Sequence, residues 1–249
     1  MPNSLGVYYD SYPFPLQYEI PMEEIWNPED IAANTKNQCL YVSDMHDKCI
    51  WEINLADHKV TKWLSNIDWP FTLSVSSDGH LLSLRDRPTQ QNKQQSKRQQ
   101  RCKLEIYGSE ARLIRSLSLP SDIQKPLHAI QKPNGQFIIL HRMMVDQETG
   151  QWTISNLAKD GQLIGNFIPK ANPEGFLDWP FYMAFDSDDD RLFVADYWNH
   201  RVIMTCDSFS WSETILNGTI NRPLRLFYDV KKKQLIVANS RRLDIYIES

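Results

Sequence analysis

Five positions in this chain each follow a proline by two residues, and each carries a side chain that can form hydrogen bonds. They are Asp30, Thr72, His128, Tyr182 and Arg225. Arg225 and His128 supply donors and Asp30 supplies an acceptor, so a cluster of these side chains would bind a small polar ligand or a peptide terminus. This set is the first candidate binding site.

The same five residues lack the groups that common hydrolytic chemistry requires. Calcium needs several oxygen ligands around it, and Asp30 is the only carboxylate of the set. Zinc needs three His, Cys or carboxylate ligands together, and His128 is the only histidine of the set. The chain has nine glycines and contains neither a G-x-S-x-G elbow nor a glycine-rich phosphate loop. We therefore expect no metal, no cofactor, no catalytic residue and no enzyme activity.

Exposed aromatic and basic residues form a second candidate surface. Tyr197 and Trp198 occupy a predicted turn, and Lys97, Arg98 and Arg101 lie in a basic, Gln-rich segment. Residues 85–103 hold seven Lys or Arg against one Asp, so this segment buries too little apolar area to fold by itself. Its charge would attract phosphates or acidic proteins, and the aromatic rings would stack on bases or anchor a peptide.

The prolines that precede the five polar positions mark an internal repeat. They are Pro28, Pro70, Pro126, Pro180 and Pro223, spaced by 42, 56, 54 and 43 residues. A period near 40–45 residues is typical of a β-propeller or a solenoid. The longer intervals contain the basic segment and a second insertion at residues 142–150.

Each repeat contains short apolar runs that alternate with turn residues, which distinguishes strands from helices. Asp78-Gly79 and Asn134-Gly135 are hairpin-turn pairs between the first and second runs of two repeats. Several of the third runs alternate apolar and polar residues, as in Leu243–Ile247. Four short antiparallel strands in each repeat predict the blades of a β-propeller, an all-β fold.

The two ends of the chain suggest how the ring closes. The fifth repeat stops after its third strand, and Leu16–Ile20 reads as an isolated strand that would complete it. We therefore predict five blades, with residues 1–25 as the closing segment, residues 26–249 as the propeller and residues 86–102 as a loop insertion. The alternative is six blades, with residues 6–12 and 17–20 contributing to the extra one.

One repeat resembles a known family. The stretch Arg191-Leu-Phe-Val-Ala-Asp-Tyr-Trp-Asn-His-Arg-Val-Ile203 is similar to the NHL repeat, whose pattern maps onto Asp196, Asn199, His200 and Arg201. The first repeat keeps Asp44 and Asp47 but has Cys49 in place of the Arg, and the second and third repeats depart further. The resemblance implies a propeller like that at the C-terminus of TRIM-NHL proteins, without RING, B-box or coiled coil. Asp196 and Arg201 could form an ion pair ready for a ligand, but we interpret them as a pair that locks a turn.

Blade geometry places the proline loops, the Tyr197–Trp198 turn and both insertions on one face of the ring, called here the loop face. Loops on a rigid scaffold concentrate binding residues. We therefore predict a non-catalytic interaction scaffold that binds a protein or peptide. The first alternative is single-stranded RNA bound by the basic segment and the aromatics. The further alternative is a metal-dependent hydrolase or lactonase of propeller type.

Composition sets the remaining expectations. The chain has 249 residues, 41% of them hydrophobic, and a net charge of −4. It has no apolar stretch long enough to span a membrane and no signal peptide pattern, so no membrane association is expected. None of its four cysteines form a C-x-x-C pair, which favours free thiols in a cytoplasmic monomer.

Overall fold

A computed structural model describes residues 4–8, 16–21, 25, 27–67, 70, 72–85, 102–144, 150–171, 175–206, 208–217, 220–239 and 243–247. The described residues form an all-β, five-bladed propeller without helices. The predicted fold class and blade count are confirmed, and the six-bladed alternative is wrong.

The blades follow one another along the chain, and each is an antiparallel sheet whose strands pair in sequence order. Blade one contains β3 (Pro28–Asn34), β4 (Cys39–Asp44), β5 (Cys49–Asn54) and β6 (Val60–Leu64). Blade two contains β7 (Thr72–Val75), β8 (Leu81–Arg85), β9 (Lys103–Tyr107) and β10 (Leu113–Ser118). Blade three contains β11 (Gln124–Gln131), β12 (Phe137–Met144), β13 (Gly150–Leu157) and β14 (Leu163–Phe167). Blade four contains β17 (Pro180–Asp186), β18 (Arg191–Asp196), β19 (Arg201–Cys206) and β20 (Ser212–Asn217), and blade five contains β21 (Arg225–Asp229), β22 (Gln234–Ala238) and β23 (Leu243–Ile247).

Two short hairpins lie outside the blades. The first pairs β1 (Ser4–Tyr8) with β2 (Leu16–Pro21), and the second pairs β15 (Lys170–Ala171) with β16 (Gly175–Phe176). The expected closing strand is therefore wrong in its pairing. β2 forms hydrogen bonds with β1, and β23 remains the last strand of a three-stranded sheet.

The turn between the first and second strands has the same backbone signature in all five blades. One residue in each turn adopts a positive φ: Gln38, Gly79, Gly135, Asp190 and Lys233. The predicted Asp78-Gly79 and Asn134-Gly135 turns supply Gly here, with φ of 83° and 82°. Glycine adopts this conformation without the steric cost that a Cβ imposes. These turns start each second strand at an equivalent point and bring the first strands of the blades to the centre of the ring.

Apolar side chains between neighbouring blades form the core. Separate buried clusters join blades one and two, two and three, three and four, and four and five. A fifth cluster of buried residues, around Trp51 and Ile53, consists of blade one residues and Ile25. Among the described residues, the contact between blade five and blade one is thus the seam without a shared buried cluster.

Candidate functional site

Sharp turns precede three of the five polar positions at the ring centre. Lys125, Trp179 and Arg222, which directly precede three of the marker prolines, have φ of 44°, 50° and 52°. A non-glycine residue pays a steric cost in this region, so such turns persist where the surrounding structure fixes them. Each turn directs the following first strand inward, and the five polar side chains meet inside the channel, just below the loop face.

An ion pair spans the two ends of the chain at this level. The Nε of Arg225 donates to Oδ1 of Asp30 at 3.0 Å, although the two residues are 195 positions apart. Asp30 is fully enclosed, and its two oxygens also accept the backbone N–H groups of Ile31 and Leu73 at 2.9 and 2.8 Å. The carboxylate therefore holds Arg225 in place and has little capacity left for a ligand.

Arg225 is less fully engaged than its partner. Its Nη1 donates to the Leu224 carbonyl at 3.2 Å and its Nη2 to the Glu29 carbonyl at 3.3 Å. With the bond to Asp30, three of its five N–H groups have a partner within the described part of the chain. The side chain is 33% exposed and lines the channel, so two donors remain for a ligand.

Two aromatic rings complete the cluster. The guanidinium carbon of Arg225 lies 5.1 Å from the Tyr182 ring centre, and the Tyr182 ring lies 3.7 Å from that of His128. The Tyr182 hydroxyl donates a long hydrogen bond to the Leu73 carbonyl at 3.4 Å. Tyr182 thus links the cation to the imidazole.

His128 is the least satisfied group of the cluster. It is 1% exposed, and both ring nitrogens lack a hydrogen-bond partner of good geometry among the residues the structure describes. Burial and, to a smaller extent, the positive charge of Arg225 together lower the pKa of His128 to about 3, against a smaller opposing effect of the Leu73 backbone. The imidazole is neutral at physiological pH, with one nitrogen able to donate and one able to accept.

Burial also acts on the acidic groups nearby. It raises the pKa of Asp30, and the charge of Arg225 and the backbone N–H groups of Leu73 and Ile31 oppose this shift. The pKa of the Tyr182 hydroxyl is raised by burial and by the charge of Asp30. The cluster therefore combines the Asp30–Arg225 ion pair, one neutral imidazole and one neutral phenol, and of the ion pair only Arg225 is partly exposed.

The polar cluster separates two cavities. The smaller, about 380 Å³, opens toward the loop face and is lined by Glu29, Thr72, Leu127, Phe181, Leu224 and Arg225. The larger, about 500 Å³, lies on the other side and includes His128, Tyr182 and Arg225 in its wall. Arg225 reaches both, and Thr72 belongs to the smaller one. The five predicted residues are brought together, with Asp30, Thr72 and His128 buried in the constriction rather than displayed at an open mouth.

The predicted loop-face residues divide into two groups. Tyr197 and Trp198 lie edge to face at 5.0 Å, and the Arg222 guanidinium carbon lies 4.5 Å from the Trp198 ring centre. Trp198 remains 45% exposed, so this turn presents an aromatic surface. Lys97, Arg98 and Arg101 lie outside the described residues, as does the rest of the insertion at residues 86–101.

The NHL-like residues of blade four form a buried structural network. Arg201 donates from Nε to Oδ2 of Asp196 at 2.7 Å and from Nη2 to the carbonyls of Gly175 and Phe176 at 3.0 and 3.2 Å. Asn199 also bonds to Asp196 at 2.9 Å. These contacts fix the turn and the preceding hairpin beneath the blade surface.

Sequence reasoning missed the larger cavity and the pairing of Asp30 with Arg225. Asp30 and Arg225 are equivalent positions in the first and last repeats, so they lie at the same level along the channel axis. Because the first and last blades are adjacent in the ring, the two residues are neighbours. The apolar wall of the cavity gave no separate signal, because Ile31 and Phe227 look like ordinary strand residues.

Comparison with solved structures supports the propeller fold. The chain is similar to hydrazine synthase of Kuenenia stuttgartiensis, with a TM-score of 0.66, 11% identity, and coverage of 96% of this chain and 88% of that one. It is similar to a gluconolactonase of Xanthomonas campestris, with a TM-score of 0.64, 13% identity and coverage of 90% and 73%. It is also similar to the calcium-binding protein regucalcin of Agrobacterium tumefaciens, with a TM-score of 0.60, 15% identity and coverage of 90% and 71%. No protein-family model and no curated protein matches the sequence.

These neighbours correct the expected function. We expected a non-catalytic scaffold that binds a protein or peptide and has no enzyme activity, and this expectation is wrong on the comparison. The similar structures include a gluconolactonase and a hydrazine synthase, so a propeller of this kind is not by itself a sign of a non-catalytic scaffold. The likeness establishes the propeller, and the NHL family as such finds no separate support in it.

Calcium binding, which is named for regucalcin, does not fit the side chains of this channel. Within the described residues, no group of three or more His, Cys, Asp or Glu side chains is placed to hold a metal ion. Calcium takes about six to eight oxygen ligands. The one carboxylate of the constriction, Asp30, already accepts three N–H groups. The described side chains of the channel therefore do not form a calcium site.

Among the described residues, no helix has the length and apolar character that a membrane span requires. All four cysteines are free thiols, as predicted. Cys206 is the most accessible of them, and hydrogen bonds from Ser208 and Ser210 outweigh the effect of burial and lower its pKa to about 7.

Proposed function

We propose that this protein is a propeller hydrolase of lactonase type, which opens a small ester or lactone in its central channel. The observation that carries the proposal is the pairing of a half-engaged guanidinium with a buried, neutral imidazole whose ring nitrogens lack a well-formed hydrogen bond among the described residues, both at one cavity. The fold shared with a gluconolactonase supports the same reaction class. The cavity of about 500 Å³ is within the usual size of small-molecule sites.

Arg225 would bind the carbonyl oxygen of the substrate. Its two remaining N–H groups are directed by the fixed bonds to Asp30, Leu224 and Glu29. When water adds to the carbonyl carbon, negative charge develops on that oxygen. A preorganised cation that is already fixed by its other hydrogen bonds stabilises such charge more strongly than solvent does, because it need not reorient during the reaction.

His128 would accept the proton from the attacking water. Water forms the new C–O bond, the ester C–O bond breaks, and the imidazolium returns its proton to the leaving alkoxide, which yields a hydroxy acid. Burial makes His128 a weak base in the resting protein. The negative charge that develops beside it favours the protonated ring, so its basicity rises along the reaction.

Two substitutions test these roles by steady-state hydrolysis of a panel of small lactones and aryl esters. Arg225→Lys keeps the charge beside Asp30 but loses the planar donors, and we expect kcat to fall about 10²–10³-fold. His128→Phe keeps a ring against Tyr182 but removes both nitrogens, and we expect kcat to fall about 10²–10⁴-fold. Arg115→Lys, on the exposed face of β10, is the matched control and should leave kcat unchanged.

Thermal unfolding of each variant separates lost chemistry from lost fold. Wild-type hydrolysis with no decrease in folded Arg225→Lys and His128→Phe would place the chemistry elsewhere. Absence of hydrolysis of every lactone and ester by the wild type would overturn the proposed reaction class.

The NHL resemblance is compatible with this proposal as a relation of repeats. The Asp196–Arg201 network supports the reading of blade four as an NHL-like blade, because both residues secure a turn. In that view the repeat motif builds the scaffold and the inner strands carry the chemistry.

A further inference from the structure

The junction of blade five and blade one differs from the other four junctions. A buried apolar cluster fills each of the others, whereas none is shared across this one among the described residues. Blade five also has three strands where the others have four. Among the residues that the structure describes, the junction of blades five and one is therefore the least filled.

The larger cavity extends from the channel into this junction. Ala33 and Leu40 line it from β3 and β4, and Ile236, Ala238 and Leu243 line it from β22 and β23. Residues on second and third strands lie away from the channel axis, so the cavity runs outward between the two blades. We call this extension the seam cleft.

The walls of the seam cleft are apolar and exposed. Ile31 is 38% exposed and Phe227 is 51% exposed, although both lie on innermost strands. Large apolar side chains at such positions are normally covered. The polar end of the cavity, by contrast, is the constriction that holds Arg225 and His128.

We infer that the seam cleft binds the hydrocarbon chain of an ester or lactone whose carbonyl group lies at Arg225. This inference rests on the proposed hydrolase function and specifies its substrate class. The constriction offers a cation with donors left for a ligand, and the side chains of the seam cleft are apolar, which suits an amphiphile with one polar head; the polar residues Ser74, Ser77, Gln131 and Ser187 line other parts of the cavity wall. A sugar lactone placed in the seam cleft would leave its hydroxyl groups against the side chains of Ile31, Phe227 and Ile236 without hydrogen-bond partners, which costs binding free energy.

Chain length provides the first test. In a series of γ-lactones from four to twelve carbons, we expect kcat/KM to rise about fourfold for each CH₂ that enters the cleft, and then to level off when the cleft is full. A rate that is independent of chain length would overturn the inference and leave the hydrolase proposal standing.

Binding provides a readout that does not depend on hydrolysis. Calorimetric titration with decanoate and butyrate compares a long and a short chain on the same carboxylate head. We expect decanoate to bind at least tenfold more tightly than butyrate. Decanoate binding without hydrolysis of any lactone would sustain the ligand class and sink the hydrolase proposal, and equal affinity for both acids would sink the ligand class.

Two variants locate the chain. Ala33→Trp fills the cleft from an exposed position and should reduce decanoate affinity at least tenfold while sparing butyrate, whereas Ala33→Ser keeps the volume and should have little effect. Phe227→Gln, which adds a polar group to the wall, should also weaken decanoate. Ile164→Gln, on the exposed outer strand of blade three, is the control for surface hydrophobicity. Unchanged decanoate binding in folded Ala33→Trp and Phe227→Gln would exclude the cleft as its site.

Discussion

Two Asp–Arg pairs in this propeller have the same chemistry and different surroundings. Asp196 and Arg201 join neighbouring strands of blade four at 2.7 Å, and their side chains are 0% and 1% exposed. Asp30 and Arg225 join the first and last blades at 3.0 Å, with Arg225 33% exposed. The aspartate is enclosed in both pairs, so the difference lies with the arginine.

That difference separates a structural pair from a site. The guanidinium of Arg201 donates to Asp196 and to two carbonyls in a closed environment, so it has no access to a ligand. The guanidinium of Arg225 is held at one side and faces a cavity at the other. A fixed cation with open donors binds developing negative charge, whereas an enclosed one only holds the chain together.

Replacing each arginine by lysine should give the largest difference between the two pairs. Arg201→Lys leaves the carbonyls of Gly175 and Phe176 without their donor, and we expect a loss of about 2–4 kcal/mol in unfolding free energy. Arg225→Lys should lose less than about 1 kcal/mol, because a partly exposed pair contributes little and Asp30 keeps two backbone donors.

Urea unfolding of both variants measures these losses of stability, and steady-state hydrolysis measures the effect of each substitution on kcat. Arg201→Lys should keep wild-type kcat per folded molecule, while Arg225→Lys should not. Equal losses of stability at the two positions would show that the exposure of Arg225 does not distinguish it.

The second largest expected effect is the dependence of stability on pH that His128, which lies near Arg225, should cause. His128 has a pKa lowered to about 3, so the folded protein stays neutral there while an unfolded chain takes up a proton below pH 6.5. Stability is therefore lost as the pH falls through 6.5. Each pH unit below that value costs about 1.4 kcal/mol, which gives about 2 kcal/mol at pH 5.

Replacement of His128 by Phe should remove this loss. Urea unfolding at pH 7.5 and pH 5 should show a smaller decrease for His128→Phe than for the wild type, by about 2 kcal/mol. His141, whose pKa burial lowers to about 4, should retain its own contribution in both proteins. Parallel stability curves for the two proteins would mean that His128 takes up its proton in the folded state.

These contrasts show how far sequence carried the prediction. The marker prolines and the Asp78-Gly79 turn are local signals, and each acts within a few residues, so the blades could be predicted from the sequence. The five inner positions could be read by repeat equivalence. The burial of His128, the contact of Asp30 with Arg225 and the seam cleft depend on how the ring closes, which no local pattern encodes. The pairing of β2 was missed for the same reason, because strand partners across a long separation are set by tertiary packing.

A third Asp–Arg pair, also in blade four, has an arginine whose exposure lies between those of Arg201 and Arg225, and it should give the smallest of the expected effects. Asp186 is fully enclosed and accepts from Nη2 of Arg191 at 2.7 Å, and Arg191 is 15% exposed. Burial would raise the pKa of Asp186, but the bonds from Arg191 and the Asp188 N–H outweigh it and hold the pKa below its ordinary value. The ionised carboxylate is therefore favoured by folding.

The contribution of Asp186 should have the opposite pH dependence to that of His128. A depressed carboxyl pKa adds stability that is present above about pH 4 and is lost as the pH falls through the folded pKa. We expect Asp186→Asn to cost about 1 kcal/mol at pH 7 and progressively less below pH 4. Urea unfolding between pH 7 and pH 3 measures this difference. A cost that stays constant down to pH 3 would assign the role of Asp186 to packing rather than charge, and the degree of arginine exposure would then no longer order the three pairs.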